Sequence, residues 1–598
     1  MTTAAATHLA PTASHDWLVS GQSPKKLLDD LLNRPDAVRL VRDTPIQPLF
    51  LFIQSLGLAD AQELVARCSP EQFRGFVDLD AWERDEMKLE RLTVWLEQLL
   101  ELPPSRLALH VSKLDPELVT AYLSRLVRVY DLSEEDTVPE EAEGVFFETP
   151  DRFFVVDILS DPDGGHGRTA FLQRFLDRLY RGDLELARTV LNAARWEPGS
   201  ETDELSYRFR CGRLADMGFV DYYDALRIYS EVDVGAEPPH RAQPFATIDE
   251  ARATGLGGFL ELQRWRNAWA DTPDLVVQQS MGRLDVGTQQ NLFEELLYLA
   301  NQAMSADRVP FSDAAQFQAT LSKTVGYLHL GYAHLRKQRR AESDQPVDAD
   351  VMVRLLKTVP LTHVFRVGYT LTLHVRKMAK LLVDSGATSL VPQKRPAALL
   401  PTDEAGAFLA LLEARPMFPR FLDDRSQNGT RPFAALLDLH RAGLFLAQLG
   451  ERPRFLSAGL GLRLDVLEEV LSKTVPNDEE ATWDDVLGTM LANHLLGRPA
   501  ALVPLGFRDL GPLRRFLDEE TMAWPASVVV GIWKMLEARL SERDPSSPTT
   551  VTRVDEPQRA FVDRVLVRVA RSLAVLPRHI DEATASAVPR LDGLLLAV

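Results

Sequence analysis

The sequence predicts an all-α-dominated chain, a helical-repeat or superhelical array with a small β-hairpin insertion. Three observations predict it. Proline-capped helix starts recur at a fixed spacing near the amino terminus. Amphipathic periods of 3.6 residues fill most of the chain. β-Branched and aromatic runs gather at one place, residues 145–158.

Residues 1–22 are rich in Ala, Thr and Ser, lack an apolar period, and read as a disordered tail. Residues 23–130 read as helical repeats. Ser23-Pro24, Ser69-Pro70 and Asp115-Pro116 each put a capping side chain before a proline, whose missing N–H would be unpaired at the first helical position anyway. Ser69 with Gln72 also completes a capping box. Successive prolines lie 46 residues apart, and helical repeats of the HEAT/armadillo type have periods of roughly 40–47 residues. Such units stack because none buries its apolar face alone.

Residues 131–240 form an acidic segment with a hairpin and helices. Between Asp131 and Asp163 twelve carboxylates stand against Arg152 alone. Within it, VFFET (145–149) and RFFVVDI (152–158) flank a Pro150-Asp151 turn, the pattern of a β-hairpin. Residues 241–385 read as a helical domain. Its clearest helix, Leu361 to Asp384, places Leu361, Val364, Phe365, Gly368, Leu371, Val375, Met378 and Leu382 on one face. The proline-rich stretch 386–402 reads as a linker, 403–540 as a further helical domain, and 541–557 as a second linker. Residues 558–598 carry a C-terminal amphipathic helix with Phe561, Val562, Val565, Val569, Leu573 and Leu576 on one face. Asp555, Pro557 and Gln558 start it.

Composition bounds the function. The 598 residues are 45% hydrophobic and 26% charged, ordinary for a globular protein. A net charge of −19 argues against a general nucleic-acid coat. Two cysteines, Cys68 and Cys211, make no disulfide framework and point to a reducing compartment. The amino terminus lacks the basic and apolar regions of a secretory signal. The uncharged stretches Thr44–Ala59 and Thr521–Trp533 fall short of the roughly 20 residues that span a bilayer. The expectation is a cytoplasmic protein without membrane insertion.

Two candidate sites stand out. In Asp161-Pro-Asp-Gly-Gly-His-Gly-Arg168, Asp161, Asp163 and His166 could ligate a metal, or the glycine-rich backbone with Arg168 could cradle a phosphate. The loop matches neither a P-loop nor an EF-hand, and a polar strand-to-helix connection explains the same residues. The second is a recurrence. GYAHLRK (331–337) and GYTLTLHVRK (368–377) each carry Gly-Tyr and then a histidine, arginine and lysine. His334, Arg336, Lys337, Arg339 and Arg340, with His374, Arg376 and Lys377, form a candidate anion or partner site. Cations that complement the dipole near helix ends account for the same residues. No two histidines are spaced as H-x-x-x-H, there is no G-x-S-x-G elbow, and neither cysteine sits in a nucleophile context. No metal site or cofactor is predicted.

Three segments, FFETPDRFF (146–154), MGFVDYYDALRIY (217–229) and VPLTHVFRVGY (359–369), resemble an uncharacterised bacterial domain-of-unknown-function family. The resemblance spans most of residues 30–540. It implies a mostly helical cytoplasmic protein and supplies no activity. Residues 59–127 also resemble the cytoplasmic helical superhelix of a bacterial magnesium transporter, whose membrane helices and nucleotide site have no counterpart in this sequence. These features lean away from an enzyme. They read as a non-catalytic helical-repeat protein–protein interaction or scaffold protein with unidentified protein partners. One alternative is an enzyme or small-ligand or metal binder with a site near Asp161–Arg168. Another is a phosphate or RNA binder through Arg336–Arg340.

Overall fold

The computed structural model describes residues 23–596, apart from 84, 135–144, 160–165, 197–198, 243–274, 312, 342–347, 390–394, 425–426, 465–466, 468, 472–480, 542–554 and 577–590. Helices dominate, as the apolar periods predict. No helix among the described residues is long and apolar enough to cross a membrane. The chain forms two compact units, residues 1–366 and 367–598.

The first unit opens with short helices: α1 (Pro24–Leu32), α2 (Ala37–Asp43), α3 (Ile46–Leu56), α4 (Gln62–Val65), α5 (Pro70–Asp80), α6 (Leu89–Leu99), α7 (Pro104–Lys113) and α8 (Pro116–Ser124). Helix α3 is apolar on most sides, so it is buried from Gln47 to Ile53. Its Phe50 meets Phe76 of α5, with ring centroids 6.2 Å apart, and Trp95 of α6 lies 5.5 Å from Phe76. Two of the three proline caps form as the sequence predicts. The Ser23 hydroxyl accepts the Lys26 N–H at 3.4 Å. Ser69 and Gln72 close a reciprocal capping box at 3.1 and 2.9 Å. The third departs from expectation: α8 starts at Pro116, but the Asp115 side chain makes no capping bond, because Arg213 binds it instead.

The hairpin forms where expected. Strands β1 (Val145–Glu148) and β2 (Phe154–Ile158) pair antiparallel, with Phe147 opposite Val156. A third strand that the sequence reading missed, β3 (Val127–Asp131), pairs with the other edge of β2. The central strand β2 is therefore buried at all five residues. Beyond it run α9 (His166–Gly182), α10 (Leu184–Trp196), α11 (Gly199–Asp216), α12 (Tyr222–Ala225), α13 (Leu275–Met281), α14 (Val286–Asp307), α15 (Ala314–Ala341) and α16 (Asp348–Thr358). Helix α17 (Leu361–Asp384) has the expected bounds.

The second unit comprises α18 (Thr402–Leu412), α19 (Leu436–Arg454), α20 (Trp483–Leu495), α21 (Phe507–Arg514), α22 (Ala526–Ser541) and α23 (Glu556–Ala574). Helix α20 is its centre, buried from Trp483 through Asn493. The indole N–H of Trp483 donates to the Ala387 carbonyl at 2.8 Å, and its backbone N–H to Leu399 at 2.9 Å. Helix α23 starts at the expected Asp555–Gln558 box and buries Phe561, Val562, Val565, Val569 and Leu573. It docks on α19, α20 and α21, so its apolar face is used within the unit. The helix ends at Ala574. Further on, Leu591, Leu594 and Leu595 are buried and the chain lies against α20. Gly593 N–H donates to the Asp485 carboxylate at 2.6 Å and Leu595 N–H to the Thr489 hydroxyl at 2.8 Å.

Gly488 of α20 lets that segment approach: a Cβ there would run into the Gly593 carbonyl oxygen. Gly488→Ala is expected to destabilise the protein by about 1–3 kcal/mol through overpacking. Denaturant melts check this, and an unchanged midpoint contradicts the packing described.

Candidate functional site

The predicted site residues divide into those the structure describes and those it does not. Asp161 and Asp163 lie outside the described residues. His166 begins α9, with its side chain also outside them. Arg168 lies 3.9 Å from Glu90. Among the described residues no group of three or more His, Cys, Asp or Glu could hold a metal ion.

The α15 cluster is engaged with its own unit. His334 Nε2 lies 3.0 Å from the Val234 carbonyl, and Gln338 donates to the same oxygen at 2.5 Å. Arg339 pairs with Glu237 at 3.1 Å. Arg336 is half-buried and Lys337 exposed, while the Arg340 side chain lies outside the described residues. The segment strapped down this way ends on Arg241. Arg241 pairs with Glu295 at 2.6 Å and donates to the Val359 carbonyl at 3.0 Å. Glu295 in turn accepts the Leu361 N–H at 2.7 Å, at the start of α17, where the helix dipole favours a carboxylate. Burial nevertheless raises the Glu295 pKa, outweighing Arg241 and the Leu361 N–H. On α17, His374 and Lys377 are exposed, and Arg376 donates to the Leu412 carbonyl at 3.1 Å.

Two ion clusters escaped the sequence reading because their members are far apart in the chain. In the first unit Arg213 of α11 binds Asp78 at 2.7 and 2.8 Å and Asp115 at 2.9 and 2.7 Å, so one guanidinium clamps α5, α8 and α11. In the second unit Arg452 of α19 grips buried Glu404 of α18 through both oxygens, at 2.5 and 2.8 Å. Arg564 of α23 binds Glu404 as well and reaches buried Asp484 of α20 at 2.8 Å. Arg568 links Asp484, at 3.3 Å, to Asp403, at 2.9 Å. Burial pushes the Glu404 pKa up, but Arg452, Arg564 and Arg568 outweigh it and bring it down to about 2. Every charge in this cluster has an opposite partner, so the arrangement is a cross-link rather than a reactive centre.

A candidate binding site among the described residues is a cleft of about 580 Å³ in the second unit, within the size range of small-molecule sites. One wall arises where α19 ends. Pro453 removes a donor from its last turn, and the helix widens into a π-helical turn, Phe455–Gly459. The turn closes through Gly461 N–H to Ser457 at 3.0 Å and Leu462 N–H to Leu456 at 2.8 Å. Each of these bonds spans one residue more than its counterpart in a Schellman cap. Gly461 takes the left-handed conformation this requires, φ 78°. The facing wall is the 500–502 loop, held from behind by buried Asn493, whose amide donates to Ala501 at 3.3 Å and Val503 at 2.7 Å. Leu460, Leu462, Met490, Ala500, Ala501 and Leu502 give the cleft its apolar lining, and Arg463 and Arg539 its charge. Arg539 Nη1 bridges the walls by donating to the Leu460 carbonyl at 3.1 Å and the Ala500 carbonyl at 2.8 Å. The sequence signal for this site was the glycine-flanked run Gly459-Leu-Gly-Leu-Arg463 six residues after a helix proline; nothing in it pointed to Arg539.

The model of a family described as a family of unknown function (DUF6178) matches residues 4–582, and the chain belongs to that family. No curated protein and no solved structure matches the chain.

The ion cluster sets an acid dependence. The Glu404 pKa is about 2 in the fold against an ordinary 4.5. A carboxylate with a depressed pKa contributes stability that is present above its unfolded value and lost as pH falls toward its folded one. The melting-temperature gap between the wild type and Glu404→Gln is therefore expected to be full near neutral pH and to shrink between about pH 4.5 and 2. A gap that stays constant through that window contradicts the assignment.

Proposed function

We propose that this DUF6178 protein is a non-catalytic binding protein that takes an apolar ligand group into the cleft of its second unit. One observation carries the reading: among the described residues the titratable side chains lining the cleft are Arg463 and Arg539, set beside apolar side chains in a lining that also exposes polar backbone. A guanidinium stays protonated in proteins, so it neither takes nor delivers a proton during a reaction. It does bind and orient. The walls supply the burial that drives association, at roughly 25 cal/mol per Å² of apolar surface removed from water. This reading keeps the non-catalytic character expected from the sequence and replaces the expected protein–protein interaction role with ligand recognition at a different place in the chain.

A neutral fluorescent probe tests this. N-phenyl-1-naphthylamine is expected to bind the wild type with enhanced emission. Ala501→Trp, which puts an indole at an exposed position on the cleft wall, is expected to reduce that binding about tenfold or more by occupying the space the probe would fill. Its thermal melt should match the wild type. Equal probe binding in both proteins overturns the assignment.

A further inference from the structure

We infer that the cleft is selective for an aliphatic monocarboxylate, its chain along the apolar walls and its carboxylate on Arg539; this rests on the binding reading above. The argument starts from how the guanidinium is divided. Nη1 of Arg539 is used twice, on the Leu460 and Ala500 carbonyls. Those two bonds fix the plane of the group. They leave the Nε–H and Nη2–H edge without a partner among the described residues, although Arg539 lines the cleft. That edge presents two parallel donors, the fork that a planar carboxylate meets with its two oxygens. Among the described residues no carboxylate lines the cleft.

The walls specify what carries the carboxylate. Seven of their backbone groups are already paired. The N–H groups of Leu460, Gly461, Leu462 and Ala501 donate to Phe455, Ser457, Leu456 and Pro499. The carbonyls of Leu460 and Ala500 accept from Arg539, and that of Ala501 from Asn493. A peptide laid in the cleft would lose water from its own amides and find few partners in return, a cost of roughly 1–3 kcal/mol for each unpaired group. An alkyl chain has no such groups to satisfy. The occupant is therefore a free aliphatic acid rather than the carboxyl end of a protein.

Displacement of N-phenyl-1-naphthylamine from the full chain tests the inference with octanoate, octanol, octyl phosphate and a short peptide ending in leucine. Octanoate is expected to displace the probe at a concentration about tenfold below that of octanol, the scale of a charge-assisted bidentate bond. Arg539→Lys keeps the charge and removes the fork. It is expected to lose the preference for octanoate, read as the ratio of the octanoate and octanol concentrations that displace the probe from that same variant, which does not depend on how tightly the variant holds the probe. Octanol matching octanoate on the wild type sinks the carboxylate assignment while leaving the apolar cleft standing. Octyl phosphate or the peptide competing better replaces the ligand class. A preference that survives in Arg539→Lys removes Arg539 from the site. Failure of both the probe and octanoate to bind, the latter by calorimetry, overturns the binding reading itself. The ligand series on the wild type decides the case even where the lysine variant does not fold.

Discussion

A buried carboxylate must be neutralised where it lies, and the second unit is organised around two of them. Glu404 and Asp484 come from different helices, and the guanidiniums that satisfy them come from two more. Leaving such a charge unpaired costs about 3–5 kcal/mol, whereas a well-packed apolar replacement for the whole set is often neutral. The cluster therefore contributes register more than net stability: α18, α19, α20 and α23 fit together in the arrangement that pairs every charge. The aromatic ring of Phe561 supports it, with the guanidiniums of Arg452 and Arg564 at 5.0 and 5.4 Å.

Helix α20 carries this constraint to the cleft. Its Asp484 belongs to the ion cluster, its neighbour Asp485 caps the helix from Thr482 and holds Gly593, and Thr489 one turn on holds Leu595. Another turn on, Asn493 sets the 501–503 backbone, and Met490 between them lines the cleft. One buried helix thus connects the charge pairing to the shape of the proposed site. Asp485, Thr489 and Asn493 follow one another at the four-residue spacing that places them on one face.

This explains what could and could not be read from the chain. Local rules were legible. The Ser69–Gln72 and Asp555–Gln558 boxes, the bounds of Leu361–Asp384 and the Phe147–Val156 hairpin each depend on residues a few positions apart. Asp115 shows the limit. It stands before a proline like Ser23 and Ser69, but Arg213, 98 residues later, takes its carboxylate. Strand β3 was hidden for the same reason, since Val127–Asp131 becomes a strand by pairing with residues 154–158. Residues of the α15 cluster that looked free for an anion are in part turned inward onto Val234 and Glu237, about a hundred positions away.

The cleft was illegible for a further reason: it is made by a defect rather than by a motif. An ordinary helix end satisfies its last carbonyls through a cap of fixed spacing. Here the π-helical turn shifts the closing bonds by one residue, and the Leu460 carbonyl accepts from a side chain instead. Arg539 supplies that donor and takes the Ala500 carbonyl with the same nitrogen. The irregular backbone is stabilised by the same group that lines the cleft and keeps its Nε–H and Nη2–H edge out of both wall bonds. Replacing Arg539 would therefore remove a wall contact along with a binding contact, which is why ligand preference, and not stability, separates its two roles.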